Sequence, residues 1–115
     1  YLIDALHRKP EEQILELLED YIVYISNLSI HIYCYAFKIR IPNTYISEQI
    51  ERFQMVDFSE EILKRALKGP TFDLEDNIQL HSAVEADCDI FLTEDKRLLR
   101  MKFFGKIKIN HEPAV

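Results

Sequence analysis

The stretch Asp73-Leu74-Glu75-Asp76, followed further along by Asp89-Ile90-Phe91-Leu92-Thr93-Glu94-Asp95, joins an acidic helix start to an apolar strand that ends in carboxylates. Asp73 stands where a helix cap is expected, and Asp76 falls in the first turn, where the helix dipole favours negative charge. The helix this predicts runs to about Glu85. The run Cys88 to Leu92 then reads as a buried strand, and Lys96 to Met101 as a short helix. Carboxylates delivered to the ends of neighbouring elements repel one another unless a proton or a cation lies between them. That requirement is the main clue to function.

Outward from this stretch, apolar runs alternate with amphipathic ones, the pattern of strands and helices taking turns. Tyr1 to Ile3 reads as a short strand ending at Asp4, and Pro10-Glu11-Glu12 opens a helix reaching about Leu18. Tyr21 to Ile25 is β-branched and aromatic. From Ile30 to Ile41 the apolar residues nearly alternate, so local propensity favours a strand. Ile46 to Phe53 reads as a short helix, Met55 to Phe58 as a strand, and Ser59 caps a helix that runs to Leu67 before Gly69-Pro70 stops it. Lys106 to Ile109 is a last strand. No repeat or linker interrupts the pattern, so residues 1–115 are expected to form a single α/β domain with a mostly parallel sheet.

Composition narrows the function classes. A chain of 115 residues, 48% of them apolar, suffices for one core and not two. No apolar run approaches the ~18 residues of a membrane span, and no basic, then apolar leader opens the sequence. A soluble, cytoplasmic protein without a membrane partner is the expectation. Cys34 and Cys88 are isolated and read as core residues. The formal charge of −6 argues against broad adhesion to nucleic acid but leaves room for a local basic patch.

In an open parallel sheet, ligands collect beyond the carboxyl ends of the strands. Asp4 closes the first strand, Asp95 follows the strand ending near Leu92, and Asp76 starts a helix that feeds the same edge. An oxygen-only cluster of this kind suits Mg²⁺ or Mn²⁺. The matching reaction is phosphodiester cleavage, in which the metal acidifies the attacking water and neutralises charge on the phosphate oxygens. The plainer alternatives are that Asp73 and Asp76 only cap a helix, that Asp4 is idle near the terminus, and that Glu75, Asp87, Asp89 and Glu94 are solvated.

These motifs resemble the PIN domain, the small metal-dependent nuclease fold of VapC-like toxins and of RNA-processing nucleases. The likeness is carried by Phe72 to Leu80 as the acidic helix start, by Ala86 to Lys96 as the following strand with its Thr-x-Asp motif, by Tyr1-Leu2-Ile3-Asp4, and by Ile25-Ser26-Asn27-Leu28-Ser29 as the entry to a central helix. The resemblance implies a three-layer α/β/α fold and a helix over residues 29–40, against their local preference. It places Asp4, Asp76 and Asp95 on three of the family's four metal-holding, catalytic acids, Thr93 on its hydroxyl position, and Asp73 as an accessory acid. It further implies a Mg²⁺- or Mn²⁺-dependent ribonuclease, the toxin of a toxin–antitoxin pair, with RNA as substrate, an antitoxin as protein partner and a homodimer as a common assembly.

Two departures qualify the likeness. The family's fourth acid, a glutamate of the central helix, falls near Ile32, where no neighbour is a carboxylate; His31 is a nitrogen donor poorly matched to Mg²⁺. After Asp4 the chain runs Ala5-Leu6-His7-Arg8-Lys9-Pro10, with no polar residue two positions on and a segment too short for the family's N-terminal helix, which therefore reads as shortened or incomplete. A PIN-fold module that binds RNA or protein without turnover is the alternative, and an unrelated α/β protein with structural acids is a third reading.

Lys96, Arg97, Arg100, Lys102, Lys106 and Lys108 form the densest basic run in an acidic chain. Lys96 and Arg97 flank the proposed metal edge and are the expected RNA-binding residues, holding phosphates without reading bases. A solvated helix face is the competing account. Tyr33, Tyr35 and Phe37 read as core or dimer contacts.

Overall fold

The computed structural model describes residues 2–3 and 22–111. Their strands are β1 (Leu2–Ile3), β2 (Tyr24–Ser26), β3 (Gln54–Val56), β4 (Ile90–Leu92), β5 (Phe103–Phe104) and β6 (Ile107–Asn110). The helices are α1 (Asn27–Ala36), α2 (Thr44–Gln49), α3 (Glu60–Ala66), α4 (Leu74–Glu85) and α5 (Lys96–Met101), with a 3₁₀ turn at Ile50–Arg52. The architecture is mixed α/β. One sheet of short strands runs in the order β3-β2-β1-β4-β6-β5, parallel throughout except for β5, which pairs antiparallel with β6. The helix expected over residues 10–18 lies outside the described residues.

Successive side chains of a strand point to opposite faces, and β4 uses both. Phe91 and Leu92 are each wholly buried. Phe91 packs with Leu80 and Ala83 of α4, Leu98 of α5, and Ile107 and Ile109. Leu92 joins Val23, Ile25 and Phe53, with Ile30 of α1 against them. A third cluster, Val56, Ile62, Ala66 and Ile78, seats α3 against α4. Burying a side chain the size of Phe91 or Ile25 is worth about 1.5–3 kcal/mol, so these contacts fix which helix covers which face.

The segment with strand-like alternation is helical. Ser26 caps α1 by accepting the Leu28 N–H at 3.2 Å, and Asn27 ties the helix start to the segment after β3, accepting the Phe58 N–H at 3.0 Å and donating to Asp57 Oδ1 at 3.3 Å. The helix starts two residues before the expected range of 29–40 and ends at Ala36, four residues short of it. Its end is set by Lys38, whose φ of 52° lies in the left-handed region. There the Lys38 N–H donates to Tyr35 O and the Ile39 N–H to Cys34 O, which closes the last turn. Asp87, with φ 54°, ends α4 in the same way, as the Asp87 N–H reaches Val84 O and the Cys88 N–H reaches Ala83 O.

The strand expected at residues 21–25 is paired over Tyr24–Ser26, and the helix expected at 46–53 divides into α2 and the 3₁₀ turn. The hairpin partner β5 has no counterpart in the sequence reading. It is two residues long and turns back through Gly105, with φ 60°, and Lys106. Both cysteines are free; Cys88 is buried, which pushes its thiol pKa up, whereas Cys34 is half-buried on α1. None of the described helices is long and apolar enough to cross a membrane.

An L-residue held left-handed costs roughly 1–2 kcal/mol, partly offset because glycine costs more chain entropy on folding. Lys38→Gly is therefore expected to stabilise the fold by about 0.5–1 kcal/mol, a rise of a few degrees in a thermal melt. A lowered melting temperature would show that the Lys38 side chain contributes more than its backbone strain costs.

Candidate metal and nucleic-acid site

Going along the chain, β2 and β3 are laid to one side of β1, whereas β4 and β6 lie on the other. The order thus reverses between β1 and β4, and the carboxyl ends of these two strands bound a crevice of the kind in which α/β sheets hold ligands. Ile3 is in register with Leu92, so the two strands end level.

Asp95 leaves this edge three residues after β4. The chain is bent there by Thr93, which is fully buried, donates its N–H to Asn110 O at 3.0 Å and accepts the Asp95 N–H on Oγ1, also at 3.0 Å. The Asp95 carboxylate caps α5, with Oδ1 accepting the N–H groups of Arg97 at 2.8 Å and Leu98 at 3.4 Å. Both bonds fall on one oxygen, which leaves Oδ2 uncommitted among the described residues.

Asp76 reaches the same edge from the other direction. Four residues separate the end of α4 from the start of β4, so the helix runs back along the sheet and its first turn stands at the carboxyl side. Gln79 Nε2 donates to Ser29 Oγ at 2.9 Å, which sets the second turn of α4 level with the first turn of α1, and α1 begins directly at the end of β2. Asp76, one turn earlier and half-buried, lies at that edge. The carboxylate of Asp73 is occupied as the α4 cap, accepting the Asp76 N–H at 2.9 Å.

A buried amide holds this helix start in place. Asn77 Oδ1 accepts the Thr71 N–H at 2.9 Å and the Thr71 hydroxyl at 2.6 Å. Its Nδ2 donates to Ala66 O and Thr71 O, each at 2.9 Å. All four hydrogen-bonding positions of the side chain are filled, joining the end of α3, the intervening loop and α4.

Asp76 and Asp95 therefore stand at one edge, each on a helix start. Asp4, the third expected acid, lies outside the described residues. So does the segment after it, which the resemblance to the family reads as shortened or incomplete. Among the described residues no three His, Cys, Asp or Glu side chains gather closely enough to hold a metal ion. Two carboxylates match the donor chemistry of Mg²⁺, which takes one or two from protein and completes its shell with water. Ile32, near which the resemblance would have put a glutamate, is a half-buried apolar residue, and His31 is exposed and stacks on Tyr35 with centroids 6.5 Å apart. His81 is structural, bonded to Gly69 O and packed edge-on against Phe104.

Lys96 and Arg97 are exposed on the first turn of α5 beside Asp95, with no ion-pair partner among the described residues. Lys106 instead pairs with Asp87 at 3.7 Å on open surface. Tyr35 and Phe37 are exposed, so neither is core. Besides Asn77, the buried Gln79 escaped the sequence reading: it is 1% exposed, and its Oε1 is buried without a hydrogen-bond partner among the described residues. Only its spacing of three from Asp76 could have drawn notice. No family model matches the chain, and no curated protein matches it in sequence.

Replacing Asn77 with alanine leaves the Ala66 carbonyl, whose bond to the amide is buried, and the half-buried N–H and carbonyl of Thr71 without these partners. Each such loss costs about 1–3 kcal/mol before relaxation, so a destabilisation of about 3 kcal/mol is expected in urea unfolding. A change under ~1 kcal/mol would show that water replaces these bonds and that the amide is no brace.

Proposed function

We propose that the chain is a PIN-type, Mg²⁺- or Mn²⁺-dependent ribonuclease, acting as the toxin of a toxin–antitoxin pair. The observation that carries this reading is the placement of Asp76 and Asp95 at the carboxyl edge beside the β1/β4 reversal, with Thr93 bending the chain into Asp95. The parallel strand order and apolar clusters on both faces of β4 support a three-layer arrangement of the PIN type. Bound at this edge, the metal would supply a Lewis acid and an acidified water. Asp76 and Asp95 would hold it, Asp4 would contribute the third carboxylate, and Lys96 and Arg97 would attract the RNA backbone.

The second reading, an RNA- or protein-binding module of the same fold without turnover, is favoured by one observation. Ile32 puts a hydrocarbon where the family carries an acid, and each missing carboxylate leaves a hard cation more weakly held.

Asparagine caps helices as well as aspartate does, so Asp95→Asn removes the charge while keeping the start of α5. Cleavage of single-stranded RNA that requires Mn²⁺ and is lost in Asp76→Asn and Asp95→Asn is the expected result. Millimolar Mn²⁺ should also raise the melting temperature of the unaltered chain and shift Asp95→Asn less, since an ion bound only by the folded state stabilises it by mass action. RNA binding with no cleavage at any metal concentration would select the binding module. Absence of cleavage, of binding and of a metal-dependent melt would discard both.

A further inference from the structure

We infer that Phe72, beside the Asp76 helix start, is a stacking platform for an unpaired base of single-stranded RNA. The inference rests on the ribonucleolytic or RNA-binding reading of the neighbouring edge and adds to it how a strand would be gripped there. Phe72 is wholly exposed, at 113% of its reference area. A solvent-facing phenylalanine forgoes about 1.5–3 kcal/mol that burial would yield, and one isolated apolar side chain on a surface is unremarkable by itself.

What sets Phe72 apart is its mounting. Thr71 on one side is bonded through its N–H, carbonyl and hydroxyl to the buried Asn77 amide, and Asp73 on the other side caps α4 while donating its own N–H to Thr71 Oγ1 at 3.1 Å. The ring is thus carried on a braced backbone rather than a loose one, four residues from Asp76. A preorganised aromatic loses little freedom on binding, the condition under which base stacking is worth about 1–3 kcal/mol.

Charge identifies the occupant. Across the same sheet edge, the first turn of α5 presents Lys96 and Arg97 without ion-pair partners among the described residues. Cations on one side and an exposed ring on the other match a strand that offers phosphates and unstacked bases together. A duplex hides its base faces and so leaves the ring nothing to stack on. Because every base has a π-face, Phe72 would add affinity with little sequence preference.

The chain contains no tryptophan, so Phe72→Trp installs a single fluorescent reporter at the platform. In a chain also carrying Asp95→Asn to prevent turnover, single-stranded oligouridylate is expected to quench this tryptophan. An abasic chain of equal length and an RNA duplex should leave it bright. In the otherwise unaltered protein, Phe72→Ala should weaken single-strand binding about tenfold, with Phe72→Tyr restoring it, while the melting temperature and the salt slope stay fixed. Equal binding by Phe72→Ala would overturn the inference, as would equal quenching by the abasic chain. A spectral shift that grows with protein concentration alone would overturn it too, by assigning the ring to a protein contact. Base-dependent quenching without any RNA cleavage would uphold the platform and remove the nuclease reading. Cleavage and binding indifferent to Phe72 would do the reverse.

Discussion

Two consecutive side chains of one strand, Phe91 and Leu92, are both excluded from water, and the rest of the molecule answers to that constraint. A strand buried on both faces needs apolar cover above and below, which α4 and α5 supply on one side, and Val23, Ile25, Phe53 and Ile30 on the other. Covering β4 in this way aims the starts of α4 and α5 toward the edge where β4 ends. The placement of Asp76 and Asp95 at one edge therefore follows from hydrophobic burial. The acids need no attraction for one another to be brought to one edge.

Much of this was legible in the sequence because its signals agree at several levels. Ser59 before Glu60-Glu61 and Asp73 before Leu74 each mark a cap followed by a helix, and both cap in the structure. The apolar run ending at Leu92 announced a buried strand. Residues 27–36 show where local reading fails: their alternation favours a strand, yet a capped start at Ser26, a left-handed stop at Lys38 and contacts to two separate core clusters make them helical. That outcome depends on partners distant in sequence, such as Asp57 and Phe58, which no local window contains. The β5 strand was invisible for a simpler reason, since two residues carry no periodicity.

The site was legible in part. Asp73 serves as a cap, the plainer of the two roles its position allowed; Asp95 also caps, which the sequence reading did not foresee, and that role is compatible with a second one because both cap bonds use a single oxygen. Thr93 holds the turn before Asp95, as a hydroxyl at that position can. Gln79 was missed because a glutamine in mid-helix looks like any solvated residue until the opposing helix is known; only then does its bond to Ser29 become apparent. The brace made by Asn77 was equally hidden, since a residue following an acidic helix start gives no sign that it reaches back to Ala66.

Among the described residues three other than glycine, Lys38, Asp87 and Lys102, take the left-handed conformation, in a chain with only two glycines. Each strained turn lowers native stability locally, but a polypeptide so poor in its most permissive residue explores fewer shapes when denatured. The two effects oppose one another. The fold therefore tolerates awkward corners in part because the disordered chain has less freedom to surrender, a contribution that no inventory of native contacts would reveal.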